Sequence, residues 1–162
     1  MLVTLSIRDV VLIDRLDLSF QPGLGVLTGE TGAGKSILLD SLGLALGVRA
    51  ESGLVRRGAR QLSVTAEFDI GADHPAHALL AEQGIAGDGD AILLRRIVNT
   101  DGRSRASIND QPASIGLLRK LGDLLVEVHG QFESHGLLDS DTHQGVLDAF
   151  AELAGPVAAV QA

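Results

Sequence analysis

The sequence predicts an α/β fold built around a phosphate-binding loop, and three observations carry that expectation. Short apolar or alternating segments of strand length recur along the chain. A glycine-dense stretch, "GETGAGKS" (Gly29–Ser36), stands between the apolar "GVLT" and a segment with helical periodicity. Between the later strand-like segments lie short helical patterns, as alternating layers require. At 162 residues and 45% apolar composition, the chain suits one domain with a substantial core.

The elements follow in order. "LVTLSIRDVVLIDRLDLSF" reads as two short strands, near Val3–Val10 and Asp14–Phe20, joined by a tight connection. "QPGLG" is a turn, and Gly25–Thr28 is expected to be a buried strand. From Gly34 to Leu46, Ile37, Leu38, Leu42, Ala45 and Leu46 recur at helical spacing. Val48–Gln61 is a polar, arginine-bearing connection; "LSVTAEFDI" alternates as a strand; "AHALLAEQGI" is a short helix; "AGDGD" is a loop. "AILLRRIVNTDGRSRASIND" has the form of a hairpin turning at Asp-Gly. "PASIGLLRKLG" reads as a helix capped by Ser114, "DLLVEVHG" as a buried strand, and the segment from Asp141 as a helix that Gly155-Pro156 interrupts. The expected division is therefore 1–140 for the lobe and 141–162 for the terminal helix.

Composition excludes several function classes. There is no Trp or Tyr and only four Phe, which argues against an aromatic stacking platform for single-stranded nucleic acid. A net charge of −8 argues against a generally basic nucleic-acid binder, leaving basic charge to a local patch or another polypeptide. Cysteine is absent, so disulfides and thiolate metal sites are excluded, in keeping with a reducing compartment. No apolar run has the length of a membrane span, and "MLVTLSIRDV" lacks the charged-then-apolar layout of a signal peptide. The expectation is a cytoplasmic protein with no membrane partner.

Gly29-Glu30-Thr31-Gly32-Ala33-Gly34-Lys35-Ser36 matches G-x-x-x-x-G-K-[ST] in full. Glycines allow backbone angles other residues resist, so successive amides can converge on an oxyanion. The helix that follows adds the positive end of its dipole. Lys35, one of only two lysines beside eleven arginines, is placed to reach the β- and γ-phosphates of ATP, and the Ser36 hydroxyl to ligate Mg²⁺. The expected nucleotide-binding set is Gly29 through Ser36 together with Ile37. Five histidines raise the question of a metal, but His74, His77, His129 and His135 show no helical H-x-x-x-H pair and no cysteine partner, against a structural zinc site.

The flanks resemble more than a generic phosphate loop. "TGETGAGKSILLDSLGLALGVRA", "GRSRASIND" and "LLVEVHGQFESHGLLD" are similar to the N-terminal segment of an SMC-type ABC ATPase head, and within that group to the RecN family of bacterial double-strand-break repair proteins. The likeness extends over nearly the whole chain and departs at Asp9-Val10, where the family more often has Asn-Phe. It implies the N-terminal half of a P-loop NTPase head, with an antiparallel β subdomain and, from Asp141, the root of a coiled coil. It also implies ATP-driven head dimerisation and hydrolysis in DNA repair, with nucleoid association when on DNA. By resemblance, Gln131 occupies the Q-loop position, where a neutral amide ligates Mg²⁺, orients water and senses the γ-phosphate. Arg56 and Arg57 match a family arginine loop; phosphate or DNA contact and a merely solvated charge run stand as equal readings. For Arg95, Arg96, Arg103 and Arg105 on the hairpin, polar edge residues are favoured over a DNA-facing patch.

An ABC head also needs a Ser-Gly-Gly-type signature, an apolar run ending in Asp-Glu and a late switch histidine. None is in the sequence, and "LLVEV" with Glu127 lacks the Asp-Glu ending. The resemblance therefore implies three partners: a C-terminal lobe of the same protein, a second head, and DNA. Hydrolysis would require completion by that lobe, and the isolated chain is expected to be inactive. Other readings remain open: a nucleotide-gated clamp with slow hydrolysis, a small-molecule kinase and, more weakly, an ABC transporter subunit.

Overall fold

The computed structural model describes residues 1–28, 33–85, 89–128, 147–148 and 150–151. The chain divides into two compact units, Met1–Leu125 and Val126–Ala162. Among its described residues the first contains a six-stranded sheet and three α-helices. In chain order these are β1 (Leu2–Val10), β2 (Ile13–Ser19), α1 (Ala33–Ala45), a 3-10 turn (Ser52–Leu54), β3 (Gln61–Asp69), α2 (Pro75–Glu82), β4 (Ala91–Asn99), β5 (Ser104–Ile108), β6 (Gln111–Ala113) and α3 (Ile115–Leu125).

The sheet order is β2-β1-β3-β4-β5-β6, and every neighbouring pair is antiparallel. Register follows from burying one set of alternate side chains. Leu62, Val64, Ala66 and Phe68 on β3 stand opposite Val98, Arg96, Leu94 and Ile92 on β4. All eight are buried, as are Leu5 and Ile7 on β1 and Ile108 on β5. On β1 and β3 the other set carries Thr4, Ser6, Arg8, Ser63, Thr65 and Glu67, with the Thr4 hydroxyl donating to Glu67 Oε2 at 2.9 Å across the β1–β3 pair. The edges suit their positions. β2 alternates Asp and Arg with its apolar residues, and β6 carries Pro112, which a central ladder would reject.

Local chemistry explains the hairpins. At the β4–β5 turn, Gly102 adopts φ +82° and its N–H donates to Asn99 O, while Asp101 Oδ1 accepts from Arg103 N at 2.9 Å. The β5–β6 turn is Asn109-Asp110, both at positive φ, as a two-residue type I′ turn requires. β6 corrects the sequence expectation, in which the helical segment starts at Pro112.

α1 packs on β1, β3 and β4, α3 on β5, and α2 on α3. α1 ends in a Schellman motif: Val48 N donates to Gly43 O at 2.9 Å and Gly47 N to Leu44 O at 3.1 Å, with Gly47 at φ +89°. This end interlocks with α3. A Cβ on Gly47 would lie 2.7 Å from Arg119 N, and one on Gly122 would lie 2.7 Å from Leu46 O. α3 starts as expected, with Ser114 Oγ accepting from Leu117 N at 3.1 Å.

Two expected strands are corrected. Gly25–Thr28 forms no strand, and its apolar side chains are open to solvent, Val26 at 76% and Leu27 at 54%. A buried parallel strand needs a neighbour on each side, and the described sheet offers none to this segment. "DLLVEVHG" is likewise not a buried strand: Asp123–Leu125 complete α3, because Leu117, Leu118 and Leu121 continue an i, i+1, i+4 apolar face. Val126–Val128, in the second unit, have no regular structure. In that unit Leu147, Asp148 and Phe150 are helical, and Ala151 N donates to Leu147 O at 3.0 Å. The rest of the expected terminal helix lies outside the described residues.

Candidate nucleotide site

The glycine loop leads into a helix of 13 residues, long enough for a developed dipole. Gly34, Lys35 and Ser36 occupy its first turn and are all exposed. No acidic residue stands in that turn to neutralise it. A Cβ on Gly34 would meet nothing within 4 Å, so space is open there. Ile37 turns its side chain into the core, and Ser41 Oγ donates to Ile37 O at 2.6 Å one turn on. The helix is thus anchored through Ile37, Ser41, Leu44 and Ala45 while its start faces solvent. Exposed amide donors, an ammonium and a hydroxyl at a helix start suit an oxyanion and its cation, which fits a nucleotide polyphosphate with Mg²⁺. Gly29, Glu30, Thr31, Gly32, the side chain of Ala33, Gln131, His129 and His135 lie outside the described residues. Among the described residues no cluster of His, Cys, Asp or Glu could hold a metal by itself.

The arginines are distributed differently from their order in the sequence. Arg56 Nη1 stands 3.6 Å from both Asp9 Oδ1 and Asp14 Oδ1, in partly exposed ion pairs, and Arg57 is exposed. The backbone locks this corner: Arg56 N donates to Asp9 O at 2.8 Å and Val11 N to Leu54 O at 2.9 Å. These bonds hold Asp9 at φ 54° and Val11 at φ 48°, a strained conformation for a β-branched residue. Asp9, Arg56, Gly58, Ala59, Arg60 and Gln61 line a polar hollow of about 500 Å³ beside it.

The hairpin arginines do not form one group. Arg95 and Arg105 are on the polar face, and Arg103 pairs with Asp101 at 3.6 Å. Arg96 points to the opposite, helix-covered face and is buried. Period-two spacing with Leu94 and Val98 is the sequence signal for that burial. His74 serves the fold: its Nδ1 accepts from Ala76 N at 3.2 Å, capping α2 ahead of Pro75. No helix among the described residues is long and apolar enough to cross a membrane.

Comparison with known proteins agrees with this architecture. The AAA domain family model matches residues 4–137. The DNA repair protein RecN of Halalkalibacterium halodurans is 44% identical over 151 residues, covering 93% of this chain and 27% of that protein. RecN of Bacillus subtilis is 40% identical over 151 residues, covering 93% and 26%. The chain therefore spans about a quarter of the length of the curated relatives it matches. Among solved structures, one from work on ATP-driven dimerization and DNA stimulated activation of SMC ATPases superposes with a TM-score of 0.61 at 20% identity, covering 91% of this chain and 97% of that one. That likeness concerns the fold alone, an antiparallel sheet packed with helices. The chain belongs to the AAA domain family, and 93% of it is similar to the curated RecN proteins.

Proposed function

We propose that this chain is the nucleotide-holding lobe of a RecN-like, SMC-family ATPase acting in DNA repair. The observation that carries the reading is the exposed Gly34-Lys35-Ser36 turn at the start of α1, where the complete G-x-x-x-x-G-K-[ST] motif ends. Lys35 would offer its ammonium to the β- and γ-phosphates of ATP, Ser36 its hydroxyl to Mg²⁺, and the amides of Gly29–Ile37 would cradle the phosphate oxygens. Gln131 is assigned to the metal and to the attacking water. Mg²⁺, held by the Ser36 hydroxyl, would supply charge neutralisation for the phosphates.

Hydrolysis is assigned to the complete protein. The chain carries no Asp-Glu ending in its "LLVEV" run and no signature motif. The relatives named RecN are about three and a half times as long as this chain. We assign the missing parts to a C-terminal lobe and a second head, with DNA engaged by the assembled protein. The exposed Leu24, Val26 and Leu27 support this, as an apolar segment awaiting flanking strands.

The test is Lys35→Ala in the full chain, with ATP affinity measured by calorimetry. Removal of a charge-assisted phosphate contact is expected to weaken binding by about tenfold or more, on the order of 1.5–3 kcal/mol. Unchanged affinity would overturn the assignment.

A further inference from the structure

The sheet has two faces of different character. α1 and α3 pack over the side that carries Leu62, Val64, Leu94 and Ile108. On the other side the ladder sets Arg95 between Thr65 of β3 and Ser107 of β5, and Arg105 opposite Ile97 one step along. Both arginines are exposed, and neither makes an ion pair or hydrogen bond among the described residues. Charge on a strand commonly guards a bare sheet edge. That account fails here: β4 lies between β3 and β5, and β5 between β4 and β6. The pair also gains nothing from each other, being like charges at diagonal positions about 7–8 Å apart.

The surroundings leave the charge uncompensated. Two neighbouring rows of the ladder cross five strands, one from Asp17 to Ser107 and one from Arg15 to Arg105. They hold four arginines, Arg8, Arg15, Arg95 and Arg105, and one carboxylate, Asp17. Asp17 is already engaged by Arg8 and Arg15. The remaining positions in the two rows are Ser, Thr and one Ile. A positive surface thus stands on a chain whose net charge is −8.

Chemistry selects what such a surface takes. A guanidinium fork matches the oxygens of a phosphate, and short hydroxyls beside it donate to the same group without holding it off. The rows carry no aromatic side chain on which the bases of a single strand could stack. We propose that this open face of the sheet seats duplex DNA by its backbone, with Arg95 and Arg105 each on a phosphate and Ser63, Thr65 and Ser107 beside them. The proposal rests on the DNA-repair reading and adds the surface of this lobe that meets the duplex. It lies on the face opposite α1, and its contacts give position and affinity but no sequence preference.

The salt dependence of binding counts such contacts. In the full-length protein, Kd is measured for two duplexes of unrelated sequence across about 50–200 mM salt, beside the melting temperature. Arg95→Gln combined with Arg105→Gln is expected to weaken both duplexes alike, by about tenfold, and to lower the slope of log Kd against log salt by about two. Arg95→Lys with Arg105→Lys keeps the charge and is expected to keep the slope. Arg119→Gln with Lys120→Gln removes the same charge from the exposed side of α3 and is expected to leave the slope unchanged. A glutamine pair with the parent's Kd and slope overturns the proposal and leaves the face to an acidic protein. Equal weakening by the α3 pair also overturns it, as a mere net-charge effect. So does weakening in both Arg95/Arg105 variants with a lowered melting temperature, the mark of a structural role. The two readings fail separately: a parent that binds neither duplex ends the DNA-repair reading and the proposal with it, whereas a parent that binds while the glutamine pair is inert ends the proposal alone.

Discussion

Asp17, on the edge strand β2, is a residue whose ionisation the fold clearly perturbs. Its carboxylate accepts from Ser6 and from Arg8 Nη2 at 2.8 and 3.0 Å, and from Arg15 Nε at 3.2 Å. The Ser6 hydrogen bond first, then the Arg8 contact, hold its pKa at about 2 against an ordinary 3.8. A depressed folded-state pKa contributes stability that is complete above the unfolded value and is lost as pH falls through the folded one. The contribution should therefore vanish between about pH 4 and pH 2. Asp17→Asn is expected to flatten the urea midpoint against pH in that window and to leave the slope above pH 5 unchanged. A parent and variant with parallel midpoints from pH 5 to 2 would show the Ser6 and Arg8 contacts to be inert. Solvent exposure of the pair keeps the effect modest and salt-sensitive.

Among the elements, α3 carries two glycines that should respond oppositely to one substitution. Gly116, in the first turn, has only Ser114 Oγ, at 3.9 Å, near a prospective Cβ, so Gly116→Ala gains helix propensity at no steric cost. It is expected to stabilise the chain by up to about 1 kcal/mol. Gly122 faces the end of α1, where a Cβ would stand 2.7 Å from Leu46 O and 3.0 Å from Leu46 Cβ. Gly122→Ala is expected to destabilise by about 1–3 kcal/mol, since backbone must shift. Urea unfolding of both variants checks the pair; equal signs would mean that the α1–α3 interlock is loose. This level also shows what is legible in the sequence. Period-two alternation exposes β1, β3 and β4, and the Asp-Gly turn exposes the β4–β5 hairpin, because these signals are local. Asn109-Asp110 signals the last hairpin equally well, but β6 is only three residues long and presents no pattern of its own. "DLLVEV" misleads because an apolar run with Val at its end fits a strand as well as a helix end, and only the packing of Leu117, Leu118 and Leu121 decides. In the candidate site, Lys35 and Ser36 are legible from spacing. The burial of Arg96 is legible only by letting its neighbours Leu94 and Val98 outweigh its charge.

For the molecule as a whole, the segment before the glycine loop sets the strongest demand. Leu24, Val26 and Leu27 are 96%, 76% and 54% exposed, and residues 24–28 make no backbone hydrogen bond to another described residue. Apolar side chains and bare backbone in one short run are the signature of a strand without its sheet. About three quarters of the relatives' own length lies outside the matched part, and flanking strands can lie there. Amides of Val26 and Leu27 should thus exchange with solvent at nearly unprotected rates in these 162 residues alone, and become protected in the full-length protein. Val26→Lys should sharpen the contrast. In the isolated chain it should change stability by less than about 0.5 kcal/mol, as an exposed substitution does. In the full-length protein it should destabilise by about 2 kcal/mol or more, through loss of a buried Val and burial of an ammonium. Hydrogen exchange by mass spectrometry and thermal melting of both forms read the two effects. Equal protection in both forms, with Val26→Lys tolerated in the longer one, would mean that the loop-leading segment stays outside any sheet and that the cradle is positioned by α1 alone.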